Sequence, residues 1–68
     1  MTLIQHRHEA VKTAIIDLIR LEQLDVYEIA VRLVPLGYAQ VETAVALTDL
    51  EQTSAIVIPP DNSVVLIG

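Results

Sequence analysis

The spacing of apolar residues changes once along this 68-residue chain, near Thr53, and that change limits what it can fold into. Before it, aliphatic side chains recur every three or four residues, which is the signature of helices that bury one face. After it come two β-branched runs, Ala55-Ile56-Val57-Ile58 and Val64-Val65-Leu66-Ile67. Between them stand Pro59-Pro60-Asp61-Asn62-Ser63. Pro suits the early positions of a turn, and Asp and Asn tolerate left-handed backbone. The tail therefore reads as a β-hairpin with a five-residue loop. Helices first and a hairpin last define an α+β chain, and its length predicts one domain over residues 1–68.

Three helices are expected ahead of the hairpin. The first spans about Leu3 to Glu22, opened by a Thr2–Gln5 capping box. Its stripe is Ile4, Val11, Ile15 and Leu18, joined by Ala14 and Leu21, while Ile16 and Ile19 lie off that stripe. A helix apolar on more than one face is buried on more than one side, so Ile16 and Ile19 mark either the central helix of a small core or a spare face for a partner. The second helix has the clearest start. Asp25 is an N-cap with Glu28 three residues on, and Leu24 and Ile29 are placed for a hydrophobic staple. Pro35 is expected to end it, with Pro35-Leu36-Gly37-Tyr38 as a turn. The third spans about Ala39 to Gln52. Leu47 and Leu50, with Thr43 or Ala44 a turn earlier, form its inward stripe, which leaves Glu42, Val45, Ala46, Asp49 and Gln52 facing outward.

This order of elements resembles the winged helix-turn-helix superfamily across nearly the whole chain. Two local matches carry the resemblance. Asp25-Val26-Tyr27-Glu28-Ile29-Ala30-Val31-Arg32-Leu33 looks like the family's second helix: a polar cap, then Glu, an aliphatic, Ala, two variable residues and Leu. Leu47-Thr48-Asp49-Leu50-Glu51-Gln52-Thr53-Ser54-Ala55-Ile56 looks like the end of the recognition helix running into the first wing strand. Two departures stand out. Ser54 occupies the position where the family has the Gly of a left-handed helix end, and Pro35 to Tyr38 is a residue or two longer than the usual link. The resemblance implies a three-helix winged helix-turn-helix with a C-terminal two-stranded β-hairpin wing.

It also implies a DNA-reading surface, and here charge intervenes. In the family the outer face of the third helix enters the major groove. Carried over, that face is Gln40, Glu42, Thr43, Val45, Ala46 and Asp49, and the wing tip is Pro60, Asp61, Asn62 and Ser63. Gln40, Thr43 and Asn62 would be the DNA contacts there, with Arg20 and Arg32 reaching one backbone. The chain has nine acids and four bases, for a net charge of −5, and all four bases (Arg7, Lys12, Arg20, Arg32) precede Leu33. Lys and Arg supply most of the affinity of DNA-binding proteins for phosphate. A reading surface with no base and three acids (Glu42, Asp49, Asp61) lacks the basic footprint of a DNA binder. The same surface suits protein. Val41, Val45 and Ala46 are aliphatic, and the hairpin runs do not alternate with polar residues, so both hairpin faces are expected to be covered, one by the core and the other by a partner or by tight packing within the monomer.

The sequence-based expectation is thus a small acidic winged-helix protein acting through protein–protein contacts, as a homo-oligomer, an adaptor or a subunit of a larger regulatory assembly. Its interaction face would be Val41, Glu42, Val45, Ala46, Asp49, Ile16 and Ile19, with Pro60, Asp61 and Asn62 at the wing tip. The alternatives are a DNA-binding transcriptional regulator and a small acidic inhibitor of a nucleic-acid-processing machine. Catalysis, metals and cofactors are not expected. His6 and His8 are two apart and so diverge on a helix. The only glycines, Gly37 and Gly68, make no phosphate-binding loop, and with no cysteine there is no thiolate site. Asp17 and Arg20 interrupt the most apolar helix, which argues against a membrane span, and the first residues lack the pattern of a secretory signal, so a cytoplasmic protein is expected.

Overall fold

The computed structural model describes residues 3–67, with side chains from His6 onward. The elements run α1 (Leu3–Leu21), α2 (Val26–Leu33), α3 (Gln40–Gln52), β1 (Ile56–Val57) and β2 (Val65–Leu66). Three helices followed by a C-terminal antiparallel hairpin make the α+β arrangement expected of the sequence, and one compatible with a winged helix. The Thr2–Gln5 capping box and the side chain of Ile4 lie outside the described residues.

One apolar cluster holds the elements together. Val11 and Ile15 come from α1, Ile29 and Leu33 from α2, Ala46, Leu47 and Leu50 from α3, and Ile56 and Val64 from the hairpin, with Leu24 between α1 and α2. Leu21, expected on the stripe of α1, is instead 82% exposed, because the helix ends there and the chain turns away. Ile16 and Ile19 are not a spare face. Both are half-buried and pack against the cluster, so α1 takes helices on one flank and the hairpin region on another.

The start of α2 follows its sequence signals. Asp25 Oδ1 accepts the Glu28 backbone N–H at 2.8 Å, and Glu28 Oε1 accepts the Asp25 N–H at 3.1 Å. Leu24 and Ile29 are both buried, as a hydrophobic staple requires. The end of α2 differs from expectation. Pro35 does not stop the chain's helical path, which tightens into a 3₁₀ turn over Val34–Leu36, where Pro occupies an early position that needs no N–H. Gly37, at φ 93°, makes the reversal, with Tyr38 N–H donating to Leu33 O and Gly37 N–H to Val34 O.

The end of α3 repeats that closure with a different residue. Ala55 N–H donates to Leu50 O and Ser54 N–H to Glu51 O, the paired bonds of a Schellman motif, and Ser54 takes the left-handed position at φ 63°. Ser54 therefore adopts the left-handed conformation of the Gly that the resemblance leads one to expect. α3 begins with half a capping box: Glu42 Oε1 accepts the Ala39 N–H at 3.0 Å, but Ala39 has no side-chain oxygen to return the bond.

The hairpin pairs Ile56 with Leu66 and Val57 with Val65, so its ladder is shorter than the two apolar runs. Asn62, at φ 67°, and an Asp61 carboxylate that accepts from Ser63 N–H and Oγ–H shape the loop. A third strand-like segment, not legible in the sequence, lies beside the hairpin. Val26 N–H donates to Asn62 O at 2.9 Å and Val64 N–H donates to Leu24 O at 3.0 Å, bridging Asp25 and Ser63. The residues between α1 and α2 thereby bridge to the segment before β2, outside the two-stranded sheet, and the hairpin loop is pinned to the start of α2.

The left-handed Ser54 carries a backbone cost of roughly 1–2 kcal/mol for an L residue with a Cβ, against about 0.5–1 kcal/mol of extra unfolded-state freedom for Gly. Ser54→Gly should therefore stabilise the fold by roughly 0.5–1 kcal/mol and raise the melting temperature by about 2–8 °C, as measured by thermal circular dichroism.

Candidate interaction surface

The face that α3 turns to solvent depends on the rotation set by its buried residues. Thr43, Ala46, Leu47 and Leu50 point inward. Ala46 is 0% exposed and is therefore a core residue, not part of an outer face. Its small side chain lets α3 approach its neighbours closely. Thr43 is also buried, with its hydroxyl turned toward Ala39 O, and cannot reach a groove of DNA from there.

Two of the acids of α3, Glu42 and Asp49, face α1. Arg7 donates from Nε to Glu42 Oε2 and from Nη2 to Glu42 Oε1, both at 2.8 Å, and from Nη2 also to Gly37 O at 3.1 Å. Its guanidinium lies 5.3 Å from the centroid of the Tyr38 ring, within cation–π range. About two turns further along α3, Asp49 Oδ2 sits 2.8 Å from His8 Nε2 and 2.9 Å from Lys12 Nζ. Across the other side of the molecule Arg32 makes a two-pronged pair with Glu22, at 2.7 and 3.0 Å. Arg20 is exposed and makes no ion pair among the described residues. Three of the four bases are thus engaged with carboxylates.

These contacts shift the acids in one direction. The Arg7 hydrogen bond, with help from the Ala39 N–H, holds the Glu42 carboxyl down from the usual 4.5 to about 2. Lys12 and then His8 lower Asp49, Arg32 lowers Glu22, and bonds from Ser63 lower Asp61.

With Glu42 and Asp49 turned to α1, and Glu51 exposed on the other flank, α3 has one face without charge, a crest of Val41, Val45, Thr48 and Gln52, at the i, i+4, i+7 and i+11 positions. Val41 is 68% and Val45 53% exposed. The Thr48 hydroxyl donates back to Ala44 O at 3.0 Å, so it bonds within its own helix. Beside the crest runs a shallow groove between α2 and α3, lined by Tyr27, Ala30, Val31, Gln40, Ala44 and Leu47 among others, none of them charged. Of the expected interaction residues, Val41 and Val45 lie on this surface, Glu42 and Asp49 flank it in ion pairs, and Ala46, Ile16 and Ile19 belong to the packing beneath. Tyr27 and Val31, more than half exposed across the groove, were not anticipated from sequence. Their place there follows from how α2 packs on α3.

The hairpin presents a second apolar surface. Ile56 and Val64 are buried, whereas Val57, Val65 and Ile67 on the other side are nearly half exposed. Only one of its faces is covered, contrary to the expectation from its unbroken aliphatic runs. Pro60, Asp61 and Asn62 at the tip are exposed. Among the described residues no group of three or more metal-ligating side chains comes together, and no helix is long and apolar enough to cross a membrane. Comparison with known protein families, curated proteins and solved structures found no match to this chain.

Two predictions follow from this geometry. Because Glu42 is more acidic when folded than its usual 4.5, its contribution is fully present above about pH 4.5 and is lost as pH falls toward about 2. The melting temperature should drop across that window, and Glu42→Gln should lower it at neutral pH while flattening the acid slope. Adjacent positions on α3 should respond oppositely to charge. Ala46→Lys should abolish the cooperative unfolding transition, since it buries an unpaired charge, whereas Val45→Lys should keep the helical circular dichroism and change stability by no more than about 0.5 kcal/mol.

Proposed function

We propose that this chain is a winged-helix module that acts through protein–protein contacts, with the crest of α3 and the adjoining α2–α3 groove as its contact surface. The observation that carries this reading is the absence of charge along that crest. Aliphatic side chains stand exposed where the resemblance would place a DNA-reading helix. Burial of such side chains in a protein interface is favourable, at roughly 25 cal/mol per Å² of apolar surface. Against a polyanion they gain little, because affinity there comes from Lys and Arg neutralising phosphate.

The rest of the molecule supports the same reading. Arg7, Lys12 and Arg32 would each have to leave a carboxylate partner to meet a phosphate. Of the residues that DNA binding would use, Gln40 and Asn62 are exposed but Thr43 is buried. An acidic-decoy role would rest on Glu51 alone in α3, since Glu42 and Asp49 are neutralised by bases of α1.

Fluorescence anisotropy with a random-sequence duplex tests the proposal. Binding weaker than about 10 μM is expected at about 50 mM salt, with a shallow salt dependence. Submicromolar affinity that collapses by about 200 mM salt would replace this function with DNA binding.

A further inference from the structure

We infer that the α2–α3 groove receives an amphipathic segment of another protein, in which aliphatic side chains are followed by Lys or Arg; this rests on the protein-contact reading above and gives that partner its chemistry. The groove has two different ends. α2 and α3 are joined through the turn at Gly37, so Val31 and Gln40 lie near the joint, and Val26 and Leu47 stand at the far end of the two walls. The walls carry no charge. Acids gather at the far end.

Three elements supply those acids. Asp25 and Glu28, from the start of α2, line a recess that shares Tyr27 and Val31 with the groove. Glu51 is exposed one turn beyond Leu47 on the same side of α3. Asp61 sits at the hairpin tip, where Asn62 O accepts the Val26 N–H at 2.9 Å. Among the described residues no base pairs with any of these four. The hydrogen bonds that Asp25, Glu28 and Asp61 accept come from backbone N–H groups and the Ser63 hydroxyl, which bring no positive charge. Of the nine acids in the chain, only Asp17 on α1 likewise lacks a cation partner among the described residues. One base lines the recess. Arg32 is bonded there to both oxygens of Glu22 and feels Glu28 only through space.

This combination selects the occupant. Uncharged walls favour aliphatic side chains, which gain by leaving water. Carboxylates without cations favour Lys and Arg, and they speed the approach of a basic segment. The same acids repel nucleic acid. A second copy of the chain does not fit, because it carries the same −5 and three of its four bases are already paired. From Gln40 to Leu47 the α3 wall is about 10 Å long, room for about two or three side chains of the partner. A contact of that size falls below the standard interface, and a dissociation constant of about 10–100 μM is expected.

Selection of random peptides displayed on phage against the whole chain reads this directly. The selected peptides should combine Leu, Ile or Val with Lys or Arg. A synthetic copy of one of them is then titrated by fluorescence anisotropy. Glu51→Lys should weaken its binding by at least about fivefold. Asp17→Lys makes the same change of net charge on α1 and should leave the dissociation constant within about twofold, because exposed charges beyond about 10 Å are screened at about 0.1 M salt. Ala44→Arg fills the groove and should abolish binding with circular dichroism unchanged. If that variant loses its helical signal, Val31→Arg takes its place with the same expectation. Failure to enrich any peptide overturns the inference, as do equal effects of Glu51→Lys and Asp17→Lys, or binding that the groove variant leaves intact. Uncharged or acidic aliphatic peptides that the groove variant displaces would also overturn it, while leaving the protein-contact function standing. The DNA titration answers the separate question, since tight, salt-sensitive duplex binding would remove that function whatever the peptides do.

Discussion

The rotation of α3 about its own axis is the constraint on which the surface depends. Thr43, Ala46, Leu47 and Leu50 are buried, so the opposite side of a 3.6-residue helix must carry Val41, Val45, Thr48 and Gln52. The two ion-pair sites on α1 lock the same rotation. Arg7 meets Glu42 near the start of α3, and His8 and Lys12 meet Asp49 nearer its end, so a turn in either sense separates a base from its acid. Each pair is at least partly exposed and individually weak. Their joint effect with the buried residues is to choose one face for solvent.

What was legible in the sequence was mostly local. Asp25 with Glu28, and Leu24 with Ile29, mark a helix start by contacts three or four residues apart, and the structure contains them. The change of spacing near Thr53 marks the passage into the hairpin for the same reason. The rotation of α3 was less legible because Val41, Ala44, Val45, Ala46, Leu47 and Leu50 surround most of its circumference with apolar residues. No stripe stands out, and Ala46 and Val45, neighbours of similar character, exchange roles with a small change of angle. The acids misled for a related reason. Counted along the chain, Glu42 and Asp49 are unbalanced, since no base follows Arg32. Their partners lie 35 and 41 residues earlier, a distance that no local pattern encodes.

The helix ends show how conformation outlasts residue identity. Gly37 and Ser54 both close a helix through a left-handed residue and the same pair of backbone bonds, although only Gly is free of a Cβ penalty. The demand comes from the packing that follows. After Gly37 the chain must bring Tyr38 beneath Arg7, and after Ser54 it must deliver Ile56 into the core. A serine tolerated at such a point shows that burial of Ile56 outweighs the backbone strain that precedes it.

The bridge between Asp25 and Ser63 has a consequence for how the molecule assembles. Leu24 O and Val26 N–H have their partners in Val64 and Asn62, almost forty positions along the chain. The turn that launches α2 is therefore completed by an element that follows all three helices. Without the hairpin this junction lacks both backbone partners, and α2 has only its local cap and staple and its packing on α1 and α3. The helices and the hairpin form one cooperative unit, in which the C-terminal strands act as the latch on a junction laid down much earlier.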